Sequence, residues 1–227
     1  MRFPRTLRPY LRCFPESRGG YTAPRPHLPQ RTGRYDRQRP YLVRSPARRL
    51  PHYCHQSIKM ELHTAISLIS TPALHTPGPV VWADLGCGKG LFTRALASHL
   101  PAGSTVIAVD REPVKFTQPG IQFKQMDFEK DEWKQIPPLN GILMANSLHF
   151  VKNKAAFLAK TAAHLHKNHQ FLVVEYNTDT PNPWVPYPLS FPNLQKLFRD
   201  AGYKKTDLLR EHPSIYHRSK MYAALIR

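Results

Sequence analysis

Residues 80–90 read Val80-Val81-Trp82-Ala83-Asp84-Leu85-Gly86-Cys87-Gly88-Lys89-Gly90. The first six residues are apolar except for Asp84, and they lack the polar alternation of a half-exposed strand, which is typical of a parallel strand covered on both faces. Three glycines at alternate positions follow, so the chain can turn tightly and its backbone can approach a ligand closely. The stretch predicts a buried strand that leads into a ligand-binding loop.

The next segment, residues 91–100, predicts a helix because its apolar residues recur at three- and four-residue spacing. A helix that begins after a glycine loop points its first N–H groups back over that loop, as nucleotide sites require. Two phosphate-binding interpretations fit poorly. A dinucleotide fingerprint needs a small residue where this chain has Leu91, and a P-loop needs Ser or Thr after Lys89, where it has Gly90.

The spacing that fits is D-x-G-x-G-x-G beginning at Asp84, and here the sequence resembles the class I S-adenosylmethionine-dependent methyltransferases. The resemblance implies that Asp84 accepts a hydrogen bond from the amino group of the cofactor. Asp110 ends a second apolar strand, where a carboxylate can accept from both ribose hydroxyls. Similar methyltransferases place an acid at the position of Asp127 facing the adenine amino group, with Phe128 beside the ring.

The predicted cofactor site for S-adenosyl-L-methionine comprises Asp84, Gly86, Cys87, Gly88, Gly90, Asp110, Arg111, Asp127, Phe128 and Asn146. Taken singly, each acid can equally be an exposed strand-end or turn residue. The three acids in register with the glycine loop favour the cofactor interpretation.

From residue 60 onward, strand and helix patterns alternate, which predicts βαβ units and a parallel sheet. Strands are predicted at 80–85, 105–109, 121–126, 141–146, 170–176, 205–211 and 219–226, and helices at 60–69, 90–100, 152–167 and 192–202, with a short helical turn near Pro113. The resemblance implies an α/β fold: a Rossmann-like, seven-stranded, mostly parallel sheet with helices on both faces and a C-terminal antiparallel hairpin.

Catalytic candidates come from the ends of the fourth and fifth predicted strands, because ligands of open α/β sheets bind beyond the carboxyl ends of the strands. His149 is the candidate general base, and Tyr176 is a second candidate catalytic residue. The alternative is that His149 packs or contacts substrate, since methyl transfer needs a base only when the nucleophile starts protonated.

Residues 175–188 contain four prolines among aromatic and amide side chains, which predicts a stiff wall of a substrate pocket or a loop that only caps the sheet.

The net charge of +18 is concentrated near the N-terminus. Residues 1–58 contain thirteen arginines, no lysine and two acids, for a net charge of +11, together with nine prolines. This composition predicts a leader that is disordered or not native to the protein, followed by a methyltransferase domain at 59–227. A leader of this charge can also bind nucleic acid.

Other classes of protein fit the composition poorly. No apolar run approaches the roughly 20 residues that span a bilayer, and three scattered cysteines form neither a disulfide framework nor a zinc motif. We therefore predict a cytoplasmic enzyme without a metal or a membrane partner. Its acceptor is predicted to be a small molecule, because the chain shows no RNA-recognition module. The alternatives are an RNA or protein methyltransferase that uses the basic leader, and an inactive cofactor-binding protein of the same fold.

Overall fold

The computed structural model describes residues 60–213 and 220–227. In chain order, its helices and strands are α1 (Leu62–Ile69), β1 (Val81–Leu85), α2 (Leu91–Ala97), β2 (Thr105–Asp110), β3 (Ile121–Gln125), β4 (Leu139–Ala145), α3 (Lys154–Ala162), β5 (Leu165–Tyr176), α4 (Phe191–Asp200), β6 (Thr206–Pro213) and β7 (Lys220–Ile226). Short 3₁₀ turns lie at Pro72–Leu74 and Leu148–Phe150. The leader predicted at residues 1–58 lies outside the described residues.

The seven strands form one sheet in the order β3-β2-β1-β4-β5-β7-β6. The first five strands in that order pair in parallel, whereas β7 pairs antiparallel with both β5 and β6. Strands β2 and β3 lie on one side of β1, whereas β4 and the later strands lie on its other side. The boundary between β1 and β4 is therefore a topological switch point, where open α/β sheets bind their ligands. The predicted Rossmann-like sheet with its C-terminal antiparallel hairpin is confirmed.

Two apolar clusters cover the two faces of the sheet, which explains why the central strands are apolar throughout. One cluster contains Ala65, Leu68 and Ile69 of α1 and Phe92, Ala95 and Leu96 of α2. The other contains Phe157 and Leu158 of α3 and Leu194 and Phe198 of α4. Strand β5 is buried on both sides from Phe171 to Tyr176. No helix among residues 60–213 and 220–227 is long and apolar enough to cross a membrane.

Strands β1 and β4 approach each other at a glycine. Gly141 of β4 lies beside Trp82 of β1, and a Cβ at position 141 would lie 2.5 Å from the Trp82 indole. The indole therefore takes the place of a side chain on β4, and any larger residue at 141 would have to displace it.

Helix α2 ends at Ala97, although the pattern predicts it to 100, and two other parts of the chain differ more from the sequence-based expectation. Helix α3 ends at Ala162, although the pattern predicts it to 167, because residues 165–169 extend β5 and Leu165 pairs with Leu139 of β4. Residues 111–120 contain no helical turn. Pro113 supplies no N–H, and the N–H of Glu112 donates to Asp110 Oδ1 instead of to a turn of backbone.

Candidate active site and cofactor cleft

A cavity of about 330 Å³ lies at the carboxyl ends of β1 to β4. Its wall is formed by Gly86, Asp110, Arg111, Asp127, Phe128, Glu129, Lys130, Ser147 and Phe150. Five of these residues are in the predicted cofactor site: Gly86, Asp110, Arg111, Asp127 and Phe128. The remaining predicted residues do not form the wall. Asp84 lies within β1, Tyr176 ends β5, and the others lie in the segments after β1 and β4: Cys87, Gly88, Gly90, Asn146 and His149.

All three glycines of the loop after β1 have left-handed backbone conformations, and the physical reasons differ between Gly86 and Gly88. At Gly86 the φ angle is 78°, and a Cβ would lie 2.6 Å from Cβ of Ser147, so the loop and the end of β4 touch only because position 86 has no side chain. At Gly88 the φ angle is 51°, and a Cβ would meet no atom within 4 Å. The backbone at Gly88 therefore faces open space that a ligand can occupy.

Cys87 holds the loop together through its backbone. Its N–H donates to the carbonyl of Val109 at 2.9 Å, and its own carbonyl accepts from the N–H of Gly90 at 2.8 Å. Burial, followed by the charges of Asp84 and Asp110, raises the pKa of the Cys87 thiol to about 12. The thiol is therefore protonated at neutral pH and is not a nucleophile.

The carboxylate of Asp110 is oriented by the backbone on both sides of it. Oδ2 accepts from the N–H of Gly88 at 2.8 Å, and Oδ1 accepts from the N–H of Glu112 at 3.0 Å. The carbonyl of Arg111 accepts from the side-chain amide of Gln125 at 2.9 Å, which ties this turn to β3. Each Asp110 oxygen keeps one further lone pair, so the carboxylate can still accept from two ribose hydroxyls.

Asp127 and Phe128 begin the turn that follows β3. Oδ1 of Asp127 accepts from the N–H groups of Glu129 and Lys130 at 3.1 and 3.2 Å. Its other oxygen, Oδ2, lies 3.6 Å from the ammonium of Lys130, which is largely exposed. The ring of Phe128 packs edge-on against Phe157 at 5.7 Å between centroids. Both residues line the cavity, so a carboxylate and an aromatic ring are available to a ligand there.

Asp84 lies at the end of β1 with 1% of its surface exposed. Its Oδ2 accepts from the hydroxyl of Thr93 at 2.6 Å, whereas its Oδ1 has no partner among the described residues. Burial raises the pKa of Asp84 from its ordinary 3.8 to about 7; the Thr93 hydrogen bond opposes this rise, and the charge of Asp110 adds to it. A cationic ligand group beside Oδ1 would stabilise the ionised form.

The turn after β4 contains two further buried oxygens that lack partners. Asn146 has a φ angle of 55° and is the only non-glycine residue with positive φ in the described ranges. Its N–H donates to Val174 at 2.8 Å, but its side-chain Oδ1 and the hydroxyl of Ser147 have no partner among residues 60–213 and 220–227. Buried polar atoms without partners are rare in folded proteins, and backbone strain of this kind is concentrated at functional sites.

His149 and Glu175 form a buried pair across the ends of β4 and β5. Their side chains are 3% and 1% exposed, and Nδ1 of His149 lies 2.7 Å from Oε2 of Glu175. Oε1 of Glu175 accepts from the backbone N–H of His149 at 3.0 Å. An ionised carboxylate only accepts hydrogen bonds, so it holds the proton on Nδ1 and leaves the lone pair on Nε2. The ring centroids of Phe150 and Tyr176 lie 4.3 and 6.2 Å from the centroid of the imidazole.

The proline-rich loop after β5 is attached to this pair. The N–H of Tyr187 donates to the carbonyl of His149 at 3.0 Å, and Nζ of Lys154 donates to the carbonyls of Val151 and Tyr187 at 3.0 and 2.8 Å. Burial lowers the pKa of Lys154, while the charges of Glu175 and Glu129 oppose the change. The loop is thereby fixed close to the imidazole.

Sequence reasoning assigned no role to five residues here: Glu175, Ser147, Phe150, Glu129 and Lys130. A single carboxylate within the apolar run of β5 is the signal for Glu175, because a buried acid needs a partner. Ser147 and Phe150 flank predicted residues, and only the turn geometry shows that they line the cavity. Among the described residues, no group of three or more His, Cys, Asp or Glu side chains is arranged to hold a metal ion.

The comparison with protein families identifies the class. The family model described as "Methyltransferase domain" matches residues 35–226, so the chain belongs to this family. Together with the sheet topology, this confirms the resemblance to class I S-adenosylmethionine-dependent methyltransferases. No curated protein matches the chain.

Solved structures share the fold at low sequence identity. The 1,6-didemethyltoxoflavin-N1-methyltransferase of Burkholderia thailandensis, solved with 1,6-didemethyltoxoflavin and S-adenosylhomocysteine, is 19% identical, with a TM-score of 0.56 over 73% of this chain and 77% of that one. Human N-acetylserotonin methyltransferase in complex with SAM is 18% identical, with a TM-score of 0.52 over 72% of this chain and 50% of that one. An O-methyltransferase family 2 protein of Planctomyces limnophilus, in complex with apigenin, is 17% identical, with a TM-score of 0.51 over 72% of this chain and 56% of that one.

Proposed function

We propose that the protein transfers the methyl group of S-adenosylmethionine to a small-molecule acceptor whose nucleophilic atom starts with a proton, and that His149 is the general base. The observation that carries this proposal is the buried pair of His149 and Glu175, which lies beside the cavity-lining residue Phe150. A base is useful only for a protonated nucleophile, so the pair favours a hydroxyl or an N–H acceptor.

The residues around the cavity suit this cofactor. The partnerless oxygen of Asp84 can accept from an ammonium group, and the carboxylate of Asp110 can accept from ribose hydroxyls. Asp127 and Phe128 offer an acceptor and a ring for adenine. The open space at Gly88 allows a close approach to the backbone. The chemistry supplied by bound S-adenosylmethionine is an electrophilic methyl group on a positively charged sulfur.

The chain's own contribution is to orient the base and keep water away from it. Glu175 acts as a positioning residue, because it bonds both Nδ1 of the imidazole and the backbone N–H of His149 and does not line the cavity. His149 takes the acceptor proton at Nε2. Since only 3% of His149 is exposed, the acceptor can reach it only when a neighbouring side chain moves, and Phe150, 52% exposed, is placed to do so.

The preference for a small acceptor has two supports. Two exposed aromatic residues contact the base: Phe150, whose ring centroid lies 4.3 Å from that of the imidazole, and Tyr187, whose N–H donates to the His149 carbonyl. Trp184, which is 72% exposed, belongs to the same loop as Tyr187. Such rings bind flat organic molecules by stacking. The solved neighbours named above include complexes with 1,6-didemethyltoxoflavin and with apigenin, both small molecules. A cytoplasmic location remains a prediction from the cysteine usage.

The experiment that tests this function is methyl transfer from radiolabelled S-adenosylmethionine to a panel of hydroxylated aromatic and heterocyclic compounds, with bulk RNA and a protein extract as the other arms. We expect label in at least one small molecule and none in the macromolecules. Label in RNA or protein alone would contradict a small acceptor, and binding of the cofactor without transfer to any arm would favour a non-catalytic protein.

A further inference from the structure

Lys160, in the last turn of α3, donates three hydrogen bonds to one loop. Its Nζ lies 2.7 Å from the carbonyl oxygen of Asp131, 2.8 Å from that of Glu129 and 3.2 Å from that of Phe128. An ammonium group has three N–H donors, so these three carbonyls satisfy it completely. It also lies 5.7 Å from the centroid of the Trp133 ring, within reach of a cation–π contact.

The loop that Lys160 binds is the one that lines the cavity after β3. Asp127, Phe128, Glu129 and Lys130 are wall residues, and Asp127 accepts two N–H groups from the same turn. Without a cation, the carbonyls of Glu129 and Asp131 would lose this donor, whereas the carbonyl of Phe128 would keep the indole N–H of Trp133 at 3.0 Å. The loop conformation that presents Asp127 therefore depends on a side chain from another element.

Helix α3 contacts this loop through two residues that lie about one turn apart, Phe157 and Lys160. Phe157 packs edge-on against the rings of Phe128 and Trp133, at 5.7 and 6.4 Å between centroids, while Lys160 binds the carbonyls. Residues three apart share one helix face, so both contacts are made by the same side of α3. The apolar contact fixes where the loop lies, and the ammonium fixes how its peptide groups point.

We propose that Lys160 is a positioning residue for the adenine end of the cofactor: it holds the loop at 127–133 so that Asp127 faces the adenine amino group and Phe128 lies beside the ring. This inference rests on the proposed function, because it takes the cavity as the cofactor site. Lys160 does not line the cavity and acts only through the loop.

The test is whether Lys160 is coupled to the amino group of adenine. Calorimetry measures the Kd of S-adenosylhomocysteine and of its purine analogue that lacks the 6-amino group, on the full chain and on Lys160→Met, which keeps the stem and removes the ammonium. We expect the parent to bind the amino compound about tenfold more tightly than the analogue. This ratio corresponds to about 1.4 kcal/mol, the value of one hydrogen bond from the amino group to Asp127. In Lys160→Met this preference should fall below threefold, mainly through weaker binding of the amino compound.

The matched control is Lys196→Met, which removes an exposed ammonium paired with Asp200 and should leave the preference unchanged. Lys160→Arg keeps the charge but offers a planar guanidinium instead of three converging N–H donors. It should therefore prefer the amino compound by a factor between those of the parent and Lys160→Met. This variant replaces Lys160→Met in the test if Lys160→Met does not fold. A full tenfold preference in folded Lys160→Met or Lys160→Arg would overturn the role of Lys160. Equal binding of the two compounds by the parent would overturn the adenine subsite and this inference with it, and no binding of either would contradict the proposed function itself.

Discussion

The backbone N–H of Gly88 donates a 2.8 Å hydrogen bond to Oδ2 of Asp110. This contact joins the glycine loop after β1 to the acid that ends β2, so the two parts of the predicted cofactor site hold each other in place. The loop and the carboxylate are therefore coupled, and a change at Asp110 should alter both.

Asp110→Ala should weaken S-adenosylmethionine by tenfold or more. Each hydrogen bond to a charged group is worth about 1.5–3 kcal/mol, and this substitution also removes the acceptor of the Gly88 N–H. Calorimetry of the variant measures the effect. Glu112→Gln, an exposed neighbour, is the control and should bind as the parent does; an unchanged Kd for Asp110→Ala would place the ribose elsewhere.

The raised pKa of Asp84 predicts that the stability of the protein depends on pH. Its pKa is about 7 in the folded chain, raised by burial from the ordinary 3.8, so the folded state binds a proton that the unfolded state has already lost between these values. The contribution of this group to stability is present below about pH 4 and is lost as the pH rises towards 7. Thermal unfolding should show that the Tm of Asp84→Asn falls less than that of the parent between pH 5 and pH 8. Parallel pH curves for the two proteins would refute the raised pKa.

The His149–Glu175 pair should matter more for turnover than for cofactor binding. We expect His149→Ala to reduce the rate by about 10²–10⁴, the usual contribution of a general base, with the Kd of S-adenosylmethionine within a few-fold of the parent value. Glu175→Gln should reduce kcat by roughly 10² or more, because a neutral amide no longer fixes the Nδ1 proton.

An exposed change on β6, Glu211→Gln, is the control for the charge removed from Glu175 and should leave kcat unaffected. If His149→Asn instead keeps nearly full rate and lowers the Tm strongly, the buried pair serves packing alone. The enzyme would then work by proximity without a base.

The basic leader yields a prediction that the composition supports. A chain beginning at Met60 should have the same Tm and the same cofactor affinity as the full chain, since residues 1–58 have too few apolar positions to offset the entropy of ordering them. Differential scanning calorimetry compares the two proteins. A Tm lower by several degrees after truncation would mean that the leader packs on the domain.

Local patterns were sufficient to predict a parallel sheet and the glycine loop, whereas the antiparallel C-terminal hairpin was implied by the resemblance to the methyltransferases. The apolar run at β1, the glycines and the strand-end acid Asp110 lie close together in sequence, and their spacing alone places them at one edge of the sheet. The helix at 152–167 was predicted too long because the pattern could not show that Leu165 pairs with β4.

Contacts between distant residues could not be predicted in the same way. The pairing of His149 with Glu175 spans 26 residues and depends on the register between β4 and β5, which places Ala145 beside Val174. The three contacts of Lys160 span 29 to 32 residues and depend on how α3 lies against the loop after β3. Neither relationship leaves a periodic signal in the sequence.

The central claim is that the cavity beyond β1 to β4 is a site for S-adenosylmethionine, and calorimetric titration with S-adenosylmethionine, NAD and ATP in parallel tests it most directly. Leu91 occupies the position where a dinucleotide site needs a small residue, and Gly90 stands where a P-loop needs Ser or Thr. We therefore predict saturable one-to-one binding of S-adenosylmethionine and no measurable heat from NAD or ATP at the same concentrations. Binding of NAD as tight as that of S-adenosylmethionine, or tighter, would contradict the assignment.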